Sequence, residues 1–575
     1  MKYSVHALSA ALLTGGLLTG CLMGGGDAKE AKTVGLMTDQ MVSPANVAAR
    51  PSFSWRMESA RTGAAQTAYQ VKVFEGVAEP KEVWDSGEVA DGRSVGVRYA
   101  GPELKSAAKY MWKVRVKDET GAWLEPAKGF FETGLFRKSD WNGSVWISAA
   151  DASVRGVGAV AGHPVKGQKQ EAEDGTACFV RKVANLKDVA EAYWSVAGLG
   201  VFEAYVNGKP VSRKGCRAAG GREVRDFRKP GFTQNQKTKY AFTYDVTHLL
   251  KQGKGDVNVF AAQVSSGWWR DKIVNFVGKK SAFRGLLILR HVDGTETRIG
   301  TDTSWLAATT GPVVRAGIFD GEDYDARAKT DWMTGAPDPA FRASEVNVEF
   351  KGDLLPSPGA QVRLREDLSL VPAEMYVWKG VTGADAENHG TVVKLRTYKD
   401  GDAIALAAGE TLVVDFAQNA AAVPDFVFAA KAGTTLTAKP AEMLNDANGA
   451  KKRGNDGPEG SAYRLNLRQA RATMNYTFAG ADEEAYHPEF TFFGYRYLSV
   501  TATDTVTIRR IRSVPVTSIL PQNEAGMLET DHADLNRLVQ NVRWGQYSNY
   551  LSVPTDCPQR NERLGWTADT QVFCE

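Results

Sequence analysis

Up to about residue 530, the recognisable elements of this chain are short runs in which apolar and polar side chains alternate, separated by turn residues. Convincing helical spacing first appears after Asp531. Period-two alternation is the mark of half-buried strands. At 575 residues the chain is also too long for a single core, and one domain per roughly 150 residues suggests about four. These two constraints together predict a string of β-domains followed by a helical segment.

Tyr69–Phe74 and Tyr110–Val116 alternate in this way, and Asp118-Glu119-Thr120-Gly121 supplies a turn after the second. A β-sandwich over about 33–137 is expected, with Trp55, Trp84 and Trp112 in its core. A second unit, over 141–335, has the strands Glu191–Val196 and Val201–Val206, the latter closed by the hairpin signal Asn207-Gly208. Farther on, Trp268 and Trp269 follow Ser265-Ser266-Gly267; the pair reads either as an accessory sugar-stacking surface or as a buried plug in a jelly roll. Asp320–Arg327 is dense in carboxylates but lacks the spacing of a calcium loop, so a solvated inter-domain loop is expected there. A third β-rich unit covers 356–521 and includes Thr411–Phe416 and Phe490–Leu498, with a polar, glycine-rich surface loop from Asn445 to Gly460.

After Asp531, a candidate N-cap, Leu535, Leu538, Val539 and Val542 fall at helical spacing until Pro554 stops the pattern. A second helix is expected to start at Thr567. Between them lies the densest chemistry in the chain: Asp556-Cys557-Pro558-Gln559-Arg560-Asn561-Glu562-Arg563-Leu564-Gly565-Trp566-Thr567-Ala568-Asp569. Pro554 and Pro558 keep its first half from becoming a helix. The charges therefore sit on an irregular loop, the usual mounting for acid and base groups, although such charges are more often solvated ion pairs.

A formal charge of +3 gives no electrostatic case for nucleic acid and suits a neutral substrate. At the N-terminus, Lys2 precedes an apolar run, Ala7–Leu18, that is too short to span a bilayer but suits a secretory signal. The run ends in Leu18-Thr19-Gly20-Cys21, similar to the lipobox of bacterial lipoproteins. This predicts removal of residues 1–21 up to a lipidated Cys21, a tether over 22–32, and an exported lipoprotein in the periplasm or at the outer-membrane or cell surface; an ordinary signal peptide is the alternative. Cys178, Cys216, Cys557 and Cys574 are too scattered for a disulfide framework and contain no CxxC pair. No metal and no cofactor are expected, with calcium in the second unit left open.

The Asp556–Asp569 stretch resembles the signature of bacterial α-L-rhamnosidases, glycoside hydrolase family 78, where Asn561 stands for Asp or Asn and Ala568 for the usual Gly. Upstream landmarks agree: Gly198-Leu199-Gly200 with Tyr205–Gly208, Asp320-Gly321-Glu322 with Tyr324–Arg327, Ala441–Leu444, and Phe493–Tyr497. Asp415-Phe416-Ala417-Gln418-Asn419 also matches, with alanine where the family has glycine. The resemblance runs from about Thr33 to Glu575. It implies a multidomain, mainly β architecture: an immunoglobulin- or fibronectin III-like sandwich (33–137), a jelly-roll domain of carbohydrate-binding type (141–335), a concanavalin-like sandwich (356–521) and the first helices of an (α/α)6 catalytic barrel (522–575). It further implies inverting release of terminal α-L-rhamnose from glycosides or polysaccharides. Glu562 matches the family's general acid, and Asp556, Arg560, Trp566 and Asp569 match residues lining the sugar pocket.

A general acid must hold its proton near neutral pH, and like charge at Asp556 and Asp569 would raise the Glu562 pKa. Arg560 and Arg563 would oppose this, so at least one is expected to face away or to pair with another carboxylate. An inverting enzyme also needs a base about 6.5–9.5 Å from the acid. The family's base comes from later in the barrel, whereas this sequence stops at Glu575, so the chain reads as a truncated form without appreciable activity. The competing expectation is a surface lipoprotein that binds carbohydrate through Trp268 and Trp269 without cleaving it.

Overall fold

A computed structural model describes residues 31–573 except 153–174, 212–226, 228, 230, 235, 271–277, 337, 522–523 and 525. The expected signal segment with Cys21, most of the expected tether, Cys216 and Cys574 lie outside the described residues.

The alternation reading holds in the first unit. Gln66–Glu75 and Lys109–Asp118 pair antiparallel, with Val71 opposite Val114 and Val73 opposite Trp112. These inward residues meet Phe53 and Trp55 from the facing sheet and Phe131 from the adjacent strand of their own sheet in one core. Trp55 and Trp112 are buried, and Trp84 packs edge-on against Tyr99. In the second unit two sheets enclose Phe179, Trp194, Phe260 and Phe283. The Asn207-Gly208 turn joins Phe202–Val206 to Lys209–Pro210, and both turn residues have positive φ, as a tight hairpin of right-handed strands requires.

Where the second unit should end, the chain crosses over. Strands β1 (Val313–Gly317) and β2 (Gly321–Asp325) form a hairpin, and β2 pairs in parallel with β3 (Thr473–Thr477) of the third unit. The chain then returns: Glu345–Val346 pairs with Ile147–Ser148, and Asp353–Pro356 joins Thr238–Asp245. Residues 313–325 are thus lent by one unit to its neighbour's sheet, which a boundary at 335 does not anticipate. Nor is Asp320–Arg327 a solvated loop. Glu322 is wholly buried and accepts from the Tyr486 hydroxyl and the Glu489 and Phe490 amides, Asp323 pairs with Arg315, and Asp325 pairs with Arg327. A buried carboxylate needs such donors, and they fasten the lent hairpin to its new sheet.

The third unit is built on the long strand Thr411–Ala430, which breaks register between Asp415 and Ala420. Ala417, where the family pattern carries glycine, sits in this break at φ +57°, a left-handed conformation that a side chain disfavours. Asp415 stabilises the bulge by accepting from the Ala417 amide at 2.6 Å and from Arg496 at 2.7 and 2.8 Å. Asn445–Gly460, expected as a loose surface loop, is folded instead: the Asn445 amide group exchanges two 3.0 Å hydrogen bonds with Asp456, and Met443–Leu444 pairs with Ala462–Tyr463.

The helix after Asp531 is α1 (Ala533–Asn549). His532, one residue later than expected, occupies the N-cap without a side-chain bond. The first half of α1 leaves Leu535, Leu538 and Val542 exposed. Its second half is seated: Trp544 packs against the third unit's core, and the Ser548 hydroxyl accepts the Ala421 amide at 3.0 Å. The next helical turn is α2 (Thr570–Phe573), into which Thr567 leads by accepting the Gln571 amide.

Ala417→Gly should stabilise the third unit by about 1 kcal/mol by relieving the left-handed strain, read as a rise in its denaturation midpoint. Gly321 has φ +101°, and a Cβ there would lie 2.0 Å from the Thr473 carbonyl oxygen. Gly321→Ala should therefore cost on the order of 2–3 kcal/mol, read in the same unfolding experiment.

Candidate active site

The Asp556–Asp569 loop leaves α1 through a short β-turn, Tyr550–Leu551 against Val553–Pro554, and is pinned by a bridge between Thr555 and Gly565. It then lies on the third unit. Pro558 is buried against Gly494, where a Cβ would meet the proline ring at 2.7 Å and Gln559 at 2.9 Å. That close approach explains the glycine of the Phe493-Gly494-Tyr495 landmark.

The loop gathers three functional candidates tightly. Arg560 Nε lies 2.8 Å from Glu562 Oε2, and another Arg560 nitrogen lies 3.4 Å from Asp556 Oδ2. Asp556, Cys557 and Glu562 place one donor atom each within 4.8 Å of one another. This is a set that could surround a cation, but Arg560 already supplies the positive charge between the carboxylates. Burial pushes the Cys557 thiol up to about 12, so it is protonated in the free protein. The other two candidates are apart from this cluster in character: Trp566 and Asp569 lie on the exposed side of the loop, Trp566 with 47% of its surface open.

Sequence reasoning missed Arg468, whose guanidinium lies 3.3 Å from Glu562 Oε2. It stands at φ +56° just after the Leu465–Leu467 turn. That turn is held by a relay of family landmarks, since Glu442 accepts from Asn419 at 2.9 Å and from Asn466 at 2.8 Å. A non-glycine residue at positive φ beside candidate catalytic groups is where backbone strain tends to collect, but no spacing in the sequence reports it.

The two arginines of the motif part company. Arg563 is fully buried and faces away from Glu562, donating to backbone carbonyls, whereas Arg560 bridges Glu562 and Asp556. The electrostatics therefore run against the simple expectation for Glu562. Partial burial pushes its pKa up, but the hydrogen bond and charge of Arg560 and the charge of Arg468 outweigh it, and the net shift is downward. Asp556 is the carboxylate that is raised, first by burial and then by the Glu562 charge. Like-charge repulsion loses at Glu562 because two guanidinium groups, Arg560 at 2.8 Å and Arg468 at 3.3 Å, reach its carboxylate. Asp556 Oδ1, Gln559 Oε1 and Asn561 Oδ1 are buried acceptors without a hydrogen-bond partner among the described residues.

The accessory sugar-stacking reading of Trp268 and Trp269 does not survive. Both rings are buried; Trp268 Nε1 donates to the Arg563 carbonyl at 3.2 Å, and Trp269 Nε1 to the Lys280 carbonyl at 2.9 Å. Stacking a sugar needs an open ring face, and these rings spend theirs on packing.

Four family models match the chain. They are a Rha78A-like N-terminal immunoglobulin domain over 33–137, an alpha-L-rhamnosidase N-terminal domain over 187–366, a bacterial alpha-L-rhamnosidase concanavalin-like domain over 405–517, and a bacterial alpha-L-rhamnosidase six-hairpin glycosidase domain over 523–575. Among similar proteins, an alpha-L-rhamnosidase of Formosa agariphila is 29% identical over 91% of this chain and 51% of its own length. One of Streptomyces avermitilis is 28% identical over 92% and 61%. Of solved structures, the alpha-L-rhamnosidase of Dictyoglumus thermophilum superimposes with TM-score 0.74 at 25% identity, covering 94% of this chain and 54% of that one. A Streptomyces avermitilis alpha-L-rhamnosidase complexed with L-rhamnose gives 0.66 at 26%, covering 95% and 63%. The chain spans about half to three-fifths of the length of the curated relatives it matches.

A lowered carboxyl pKa adds stability above the ordinary glutamate value of 4.5 and loses it as pH falls through the folded value; a raised one, as at Asp556, loses its contribution as pH rises. Replacing Arg560 by Met should reverse the sign at Glu562, moving its titration from below 4.5 to above it, read by carboxyl ¹³C NMR with the signal assigned by its loss in Glu562→Gln.

Proposed function

We propose, because this chain belongs to the bacterial α-L-rhamnosidase family, that its Asp556–Asp569 loop is the acid half of an inverting α-L-rhamnosidase site. The observation that carries this is Asp556 Oδ1, a buried carboxylate oxygen with no hydrogen-bond donor among the described residues, set beside Glu562 on the family's signature loop. A sugar hydroxyl is a donor of the kind it lacks, and an unmet buried acceptor gives a site built for hydroxyls its selectivity.

In this reading Glu562 protonates the glycosidic oxygen of the departing group. Asp556 and Asp569 hold ring hydroxyls, Arg560 orients them, and the open face of Trp566 packs against the methyl group that rhamnose carries in place of a hydroxymethyl. Glu562 can hold a proton only when Arg560 releases it. Sugar bound at Asp556 favours that release by excluding water and giving Arg560 a second set of acceptors. Inversion then requires a base on the opposite face of the sugar, about 6.5–9.5 Å from the acid. Asp556 does not fit that role, since a shared guanidinium fills the space between it and Glu562. The base is assigned to the part of the relatives' length that this chain does not match, so the 575-residue polypeptide by itself is expected not to turn over.

The substrate class is a rhamnose-terminated glycoside or polysaccharide. Export, with lipid attachment at Cys21, and the lack of need for a metal or other cofactor complete the proposal on the sequence alone. The alternative of a non-catalytic binding lipoprotein loses its support with the burial of Trp268 and Trp269.

Saturation-transfer NMR with L-rhamnose tests the site. Weak binding is expected that disappears in Asp556→Ala and persists in Trp269→Phe, together with no release of the aryl group from an aryl α-L-rhamnoside. Binding indifferent to Asp556→Ala, or turnover by this chain, would contradict the proposal.

A further inference from the structure

Arg563 is among the largest fully buried side chains in the protein. Its guanidinium donates to four backbone carbonyls. Two belong to its own loop, Gln559 at 3.1 Å and Arg560 at 3.3 Å. The third is Phe492 of the third unit at 2.7 Å, and the fourth is Ile318, in the connection between β1 and β2 of the lent hairpin. The rings of Phe319 and Phe492 lie 5.6 and 5.0 Å from the guanidinium carbon. Arg563's own carbonyl accepts Trp268 Nε1 of the second unit, and its backbone is left-handed at φ +54°.

We propose that Arg563 is a positioning residue for Glu562, joining the loop that carries the acid to both β-units, with Trp268 completing the joint. This rests on the reading of Glu562 as the acid only for the identity of the group being placed. The Arg560 carbonyl accepts both Arg563 Nε and the Glu562 amide, so the turn that aims Arg560 at Glu562 is the turn that Arg563 holds. The anchor points are themselves fixed. Glu322 of β2 binds the Glu489 and Phe490 amides, and the Thr491 hydroxyl donates to the Ile318 carbonyl at 3.1 Å. The lent hairpin and the Phe492 segment therefore form one rigid seat. Five N–H donors in a planar fork can reach four carbonyls on three segments; a lysine ammonium, with three donors at a single point, cannot.

Hydrogen exchange of the full chain, read by mass spectrometry on peptides covering 555–566, tests the proposal alongside the carboxyl ¹³C titration of Glu562. The groups facing Glu562 are Asp556, Cys557, Arg560 and Arg468. Arg563→Lys should speed exchange in that segment about tenfold. It should also move the Glu562 titration upward, toward the ordinary value, as Arg560 loosens its hold. Exchange in Gln66–Glu75 should stay as it is. Trp268→Phe, which keeps a ring in the core and removes one donor, should speed exchange in 555–566 about threefold. An unmoved segment with an unmoved titration overturns the proposal, as does acceleration spread equally to Gln66–Glu75. Should Arg563→Lys not fold, an unmoved 555–566 segment in Trp268→Phe overturns it. Neither readout involves a sugar or its hydrolysis, so a chain that fails to bind rhamnose leaves this proposal standing.

Discussion

A guanidinium removed from water must have its donors met, and in this protein the Arg563 guanidinium is met by the backbone of segments that are far apart in sequence. Much of the architecture around the site can be understood as supplying those partners. The hairpin β1–β2 leaves its own unit to pair with β3, and the connection between its strands brings the Ile318 carbonyl to the joint. Glu322, at the start of β2, ties down the segment before Phe492. The second unit contributes through Trp268, and α1 delivers the loop by seating Ser548 against Ala421. A loop of high charge is thus anchored through backbone carbonyls, while its carboxylates Asp556 and Glu562 share Arg560.

The second level of control is the competition for Glu562. Two arginines converge on its carboxylate, one from the loop itself and one from the Leu465–Leu467 turn, and they outweigh burial. Asp556 experiences the opposite balance and is raised. Carboxylates with environments that push their pKa values apart are a pattern of acid–base sites. At Glu562 the direction is set by the paired guanidinium groups rather than by burial, so its protonation depends on where Arg560 points.

Much of this was legible in the sequence. The first unit's sandwich follows from strict alternation around Val71, Val73, Val114 and Val116, and the Asn207-Gly208 turn from residues that tolerate positive φ. The departure of Ala417 from the family's glycine coincides with a left-handed backbone in a bulge. What could not be read has one physical source: contacts between segments with no local signature. The pairing of β2 with β3 spans 152 positions between Asp323 and Asn475, and Arg468 lies 94 residues before Glu562. The Trp268-Trp269 pair looked available because small residues precede it, but exposure is decided by what packs on a residue from elsewhere. The sign of the Glu562 shift failed for the same reason, since composition places charges in a loop without saying which ones touch.

The central claim is that Glu562 is an acid held ionised by Arg560 until sugar occupies the Asp556 side of the site. The most direct measurement is the carboxyl ¹³C titration of Glu562 in the 575-residue chain with and without saturating L-rhamnose. The account predicts a Glu562 pKa below 4.5 in the free protein that rises when the sugar is bound. A pKa unchanged by bound rhamnose would contradict it.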